Sequence, residues 1–150
     1  FIDPTMRCGL PPSACQAAGW KNWAEIVWNG AQGVLVDIDP PAKYLVELRF
    51  SSEWASKNFM PVYWPKEHDA LVSLLRWHKH EGASYVVPTG ADTSANIGSM
   101  IGMGETIEDA VEMALEVAKS VEAFEISFDA AAFEKLDKEL DEYAKMGFSF

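Results

Sequence analysis

The chain has 150 residues, 49% of them apolar, and a formal net charge of −11; that length suits one domain that buries about two-thirds of its unfolded surface. The charge repels a phosphate backbone, which argues against nucleic acid as a direct partner, and without a run of about 18 apolar residues no membrane span is expected. Cys8 and Cys15 are the two cysteines; they allow at most one disulfide and have no CxxC metal spacing, so reduced thiols in a cytoplasmic protein are the expected state.

The chain opens on Phe1-Ile2-Asp3-Pro4-Thr5-Met6-Arg7, without an initiator Met, and is expected to be part of a longer polypeptide. The opening reads as a strand, whose alternation puts Asp3, Thr5 and Arg7 on one face and Ile2, Pro4 and Met6 on the other. One carboxylate and one guanidinium on a single face can hold a metal ion and the anion it neutralises. The same spacing also describes an ordinary surface ion pair, which is its commoner meaning.

A turn through Gly9-Leu10-Pro11-Pro12 leads to a helix capped by Ser13 and running to Asn29-Gly30, with Gly30 as its left-handed stop. Trp20, Trp23 and Trp28 on this helix are expected in a core or an interface rather than as a stacking platform for bases. Residues 33–39 and 43–50 read as strands around the break Asp39-Pro40-Pro41-Ala42. Met60 to Trp64 is a short strand that Pro61 confines to an edge or a first position. Leu71, Leu74, Leu75 and Trp77 then predict a helix from His68 to His80, followed by a strand over 83–87 that stops at Pro88.

The glycine-rich stretch from Asn96 to Gly104 is expected to be a tight strand-to-helix turn. It lacks Walker and Rossmann spacing, and no basic residue lies between Ser94 and Thr106, so a phosphate loop is the weaker reading. Thr106 with Asp109 resembles a capping box, and Ile107, Ala110, Val111, Ala114, Leu115, Ala118 and Val121 form one apolar helix face. A last helix from Ala130 to Lys145 is expected to bury Phe133, Leu136, Leu140 and Tyr143 and to stop at Gly147. Residues 105–145 carry thirteen Asp and Glu against four Lys, as a solvated helical face does.

His78 and His80, two apart at a predicted helix end, face different directions and read as a solvated cap rather than a metal pair. Ser51-Ser52-Glu53 after Arg49 reads as a polar strand end, and no serine or cysteine nucleophile with a nearby base is visible. Helices and short strands that do not alternate regularly predict an α+β fold with a small mixed or antiparallel sheet and about four helices.

The opening Phe-Ile-Asp-Pro-Thr-Met-Arg-Cys-Gly-Leu-Pro resembles the last core strand of ATP-grasp ligases, where a Glu-x-Asn-x-Arg strand precedes a Gly-Pro turn and a helix. Ile101-Gly-Met-Gly-Glu-Thr-Ile-Glu-Asp-Ala-Val-Glu-Met-Ala resembles the C-terminal domain of the same superfamily, notably of glycinamide ribonucleotide synthetases, where Gly-x-Thr-x-x-Glu-Ala opens the final helix. The resemblance implies that residues 1–30 supply the last strand and helix of an ATP-grasp core. Residues 31–150 would then form a C-terminal α+β domain packed with it as one unit.

Carried over by position, Asp3 is a magnesium ligand, Thr5 a second ligand beside the nucleotide, and Arg7 the catalytic contact to phosphate or to the acyl phosphate. Asp for Glu shortens the reach by one methylene, and Thr for Asn replaces an amide oxygen with a hydroxyl. The resemblance also implies ATP and magnesium in the intact enzyme, a small-molecule substrate and upstream ATP-binding lobes as the partner. It implies no cofactor bound and no ATP hydrolysis by this chain alone. Two other readings stay open. One is a non-catalytic interaction or oligomerisation module, such as a homodimer, whose tryptophans and Met100, Met103 and Met113 pack on a partner. The other, ranked last, is a domain that binds a small anion at the Gly98–Thr106 turn.

Overall fold

A computed structural model describes residues 13–88 and 95–148. In chain order, α1 (Ser13–Gly19) and α2 (Trp23–Gly30) precede β1 (Tyr44–Ser51), β2 (Met60–Tyr63), β3 (Val72–Leu74), β4 (Trp77–His80), β5 (Ala83–Val86) and β6 (Asn96–Gly104). Then come α3 (Ile107–Ser120), the short strands β7 (Glu122–Ala123) and β8 (Ser127–Phe128), and α4 (Leu136–Lys145). The strands form two four-stranded antiparallel sheets, ordered β3-β6-β1-β8 and β4-β5-β2-β7. The fold is thus α+β, with two sheets where the sequence suggested one.

β6 is the centre of the first sheet, paired with β1 on one side and β3 on the other. This corrects the expectation of a turn over residues 96–104. Alternation sends Gly98, Met100, Gly102 and Gly104 to one face, where α3 crosses the sheet. A Cβ on Gly102 would collide with the Ala110 carbonyl and the Ala114 amide, and one on Gly104 with Asp109 and the Ala110 amide. The glycines therefore form a track on which the helix backbone lies directly, with Ala110, Ala114, Val117 and Ala118 buried against it. Leu48 opposite Met100 and Phe50 opposite Gly98 continue this core along β1. Thr106 caps α3 as expected, its hydroxyl accepting from the Asp109 amide at 3.1 Å.

The helix expected over 68–80 is instead one 3-10 turn (Lys66–His68) followed by β3 and β4. The leucines at 71, 74 and 75 suit a helical period, but the open edge of β6 offers backbone partners. The Leu71 carbonyl accepts from the Ile101 amide at 2.8 Å, and the Leu75 amide donates to the Ile97 carbonyl at 2.8 Å. Arg76, at φ 50°, turns the chain between them, so that β3 stays in the first sheet and β4 joins β5 in the second. β2 is not an edge strand: it pairs with both β5 and β7, and Pro61 is tolerated because β7 reaches only Val62 and Tyr63.

The strand expected over 33–39 does not form. Asn22 holds the segment extended against the α1–α2 break, its amide donating to the Asp37 carbonyl at 2.8 Å and its carbonyl accepting from the Asp39 amide at 3.0 Å. Leu35 is left 98% exposed. The single helix expected from Ser13 to Gly30 is two, broken where the Trp20 and Trp23 rings lie 4.8 Å apart. Its left-handed stop is Gly33, at φ 78°, with the Val34 amide bonded back to the Asn29 carbonyl. α4 begins six residues later than expected, after a 3-10 turn (Ala130–Phe133), because Asp129 caps that turn by accepting from the Ala131 amide. Phe133, Leu136 and Leu140 are half-buried, whereas Tyr143 is exposed. Gly147, at φ 92°, stops α4 as expected.

Candidate functional site

Asp3, Thr5, Arg7 and Cys8 lie outside the described residues. What the structure does describe is the sheet face next to α1, the helix that follows them in the chain. α1 contacts β1 and β6, and a Cβ on Gly19 would collide with Leu45, so the helix sits close to the strands. On that face Leu45, Glu47 and Arg49 of β1 stand opposite Met103, Ile101 and Ser99 of β6. The Ser99 hydroxyl donates to Glu47 Oε1 at 2.6 Å, while Oε2 is buried with no hydrogen-bond partner among the described residues. A buried carboxylate oxygen without a donor lacks the compensation that such groups normally have.

Cys15 of α1 is 7% exposed beside this carboxylate. Burial first and the Glu47 charge second push its thiol up from 9.0 to about 12. It is therefore protonated at neutral pH, and protonated thiols are poor nucleophiles. In a Cys8→Ser background we expect maleimide labelling of Cys15 at pH 8 to be about a thousandfold slower than that of a free thiol, from the fall in thiolate fraction. Labelling at the free-thiol rate would contradict this environment. The sign for stability follows: the unfolded thiol ionises near 9.0 and the folded one near 12, so this contribution is complete below pH 9 and fades as pH rises towards 12.

A second recess, of about 640 Å³, opens at the ends of β1 and β8 around Arg49, Ser51, Asn96, Ser127 and Asp129. The Ser51 and Ser127 hydroxyls share a hydrogen bond at 3.1 Å, and Asp129 offsets the one cation in the lining. Ser52 faces inward and acts as a clamp. Its hydroxyl donates to the Phe124 carbonyl at 3.2 Å and accepts from the Ala55 amide at 3.3 Å. The polar strand end foreseen at 51–53 is thus a structural tie.

A third cavity, of about 560 Å³, lies between the alanines of α1 and the residues Trp64, Asp69, Trp77, Lys79 and Ser84. Asp69 accepts from Trp64 Nε1 at 2.9 Å and fixes that indole. Two tryptophans, one cation, one carboxylate and the hydroxyls of Ser73 and Ser84 suit the binding of a small amphipathic molecule.

His78 and His80 lie on β4, so positions two apart share a face, contrary to the helical expectation. Both are exposed and line a shallow recess with Phe59 and Tyr85. Among the described residues no group of three or more His, Cys, Asp and Glu is placed to hold a metal ion. The anion reading at the α3 N-terminus fares poorly. Thr106 already occupies the Asp109 amide, and Glu105, Glu108 and Asp109 crowd the first turn with negative charge. Met100 is fully buried, whereas Met103 and Met113 are half-buried against the core, the Met103 amide donating to Met113 Sδ at 3.2 Å. Of the tryptophans, Trp20 and Trp23 are half-buried and Trp28 is 72% exposed.

Among its described residues, then, the chain is an α+β unit of two antiparallel sheets with several surface recesses. Its fold is similar to that of phosphoribosylamine–glycine ligase from Thermotoga maritima, with a TM-score of 0.56 and 18% sequence identity; the likeness covers 73% of this chain and 27% of the ligase chain. No protein-family model matches the chain, and no curated protein matches it in sequence. No helix among the described residues is long and apolar enough to cross a membrane.

Proposed function

We propose that the chain is the C-terminal part of an ATP-grasp carboxylate–amine or related ligase. The observation that carries this reading is the shared fold with a ligase over 73% of the chain. The order of the sequence motifs agrees with it: Asp3-x-Thr5-x-Arg7, similar to the family's Glu-x-Asn-x-Arg, comes first, then the Gly-x-Thr-like helix start at the N-terminus of α3. In this reading residues 1–30 complete the ATP-binding core and residues 31–150 form the C-terminal domain. Asp3 and Thr5 hold magnesium, and Thr5 and Arg7 meet the phosphates. ATP phosphorylates a carboxylate to an acyl phosphate, releasing ADP. An amine or related nucleophile then displaces phosphate.

A surface feature supports the same reading. α2 has no buried residue, and Val27, Trp28, Val34, Leu35 and Ile38 are each 49–98% exposed. Apolar exposure of this kind, next to the elements that follow the core strand, suits a face that packs against upstream lobes. The test is to express the chain joined to its upstream coding sequence and to measure magnesium-dependent ADP release from ATP. The joined polypeptide is expected to turn over and the 150-residue chain is not.

A further inference from the structure

The outer side of α3 carries a feature that the ligase reading does not use. Ile107, Val111 and Leu115 recur every four residues and stay only half-buried, forming the floor of a groove of about 550 Å³ whose far wall is Phe133 and Leu136. Glu108, Glu112 and Glu116 recur at the same interval beside them, all exposed, and Lys119 is the one basic residue in the lining. The result is an apolar floor with a carboxylate rim along one helix. From Ile107 to Lys119 the groove runs about 18 Å at 1.5 Å per residue, which is the length of a partner helix of about three turns.

We propose that this groove docks a basic amphipathic helix of a partner protein. An apolar seam at positions i, i+3 or i+4, and i+7 would cover the Val111 and Leu115 floor, while flanking Lys or Arg side chains would meet the glutamates. The charge selects this occupant. Residues 105–145 carry thirteen acids against four lysines, so a second copy would bring one carboxylate rim against another, and an anionic ligand would be repelled.

The experiment uses a fluorescent 14-residue helical peptide of Leu and Lys, with a Leu and Glu counterpart, followed by anisotropy on the intact chain. The Leu/Lys peptide is expected to bind and the Leu/Glu peptide is not. The double variant Glu112→Lys, Glu116→Lys is expected to weaken binding about tenfold. Glu53→Lys with Glu67→Lys changes the net charge equally at exposed sites elsewhere and is expected to leave binding within about twofold. Val111→Asp adds a negative charge yet removes the apolar floor, so docking in the groove predicts weaker binding where non-specific attraction predicts tighter. Equal weakening in the two double variants, tighter binding to Val111→Asp, binding of the Leu/Glu peptide, or no peptide binding at all would overturn the proposal. So would self-association of the chain that Val111→Asp abolishes.

Discussion

Replacing Gly102 by valine is expected to prevent the isolated chain from folding. The obstruction is not a side chain that can change rotamer: a Cβ at this position meets the carbonyl of Ala110 and the amide of Ala114, both within the hydrogen-bonded backbone of α3. Relief requires lifting the helix off β6 and β1, which would reopen the core around Val117 and Met100. Overpacking usually costs about 1–3 kcal/mol where neighbours can adjust. Here rigid backbone is the neighbour, so even Gly102→Ala should reach the upper end of that range and lower the melting temperature by about 10 °C. Valine, with two further methyl groups, should exceed what a domain stabilised by about 5–15 kcal/mol tolerates. Gly30→Ala is the control, because nothing lies within 4 Å of its added Cβ; it should leave stability unchanged or raise it by a few tenths of a kcal/mol, as alanine does at the end of a helix. An unchanged melting temperature for Gly102→Ala would contradict the close approach of α3 to the sheet.

Arg7→Ala in the polypeptide joined to its upstream sequence is expected to lower the turnover of ADP release about 100- to 1000-fold, the usual cost of removing one group aimed at developing charge. A guanidinium offers a planar fork of donors to phosphate oxygens, whereas lysine offers a point charge. Arg7→Lys should therefore recover part of the rate, and neither change should alter the melting temperature. The diagnostic is the split between kinetic and stability readouts. Loss of activity together with loss of folding would mark Arg7 as structural, and turnover within threefold of the parent would remove it from the site.

Several elements were legible because local pattern and tertiary environment agree. α3 carries a cap, an apolar face and a length that agree with one another, and β1 and β5 are β-branched or aromatic runs with nothing to compete. Residues 60–64 were legible as a strand, but the edge or first position inferred from Pro61 was not, since a proline inside a paired strand is tolerated where the second neighbour is only two residues long. The stretch from Gly98 to Gly104 was misread because glycine signals a turn locally, while here its missing side chain serves a helix in contact with the strand. Nothing in the stretch itself announces that helix. Leu71, Leu74 and Leu75 were misread for the opposite reason: their spacing satisfies a helix, and only the free edge of β6 decides for strands.

The candidate sites follow the same logic. Glu47 was not singled out, although an acid at an alternate position of an otherwise apolar strand was the available signal. Its meaning depends on Ser99 and Cys15, which come from other elements. The Trp64–Asp69 pair and Lys79 were hidden by the misread helix. Asp3, Thr5 and Arg7 were legible as a pattern and as a resemblance, and they stand as a proposal because they lie outside the described residues.

The most direct measurement is a side-by-side assay of magnesium-dependent ADP release by the 150-residue chain and by the same chain joined to its upstream sequence. The ligase reading predicts multiple turnovers by the joined polypeptide, abolished by chelation of magnesium, and none by the shorter chain. Turnover by the shorter chain at the same rate, or no magnesium-dependent turnover by either, would contradict it.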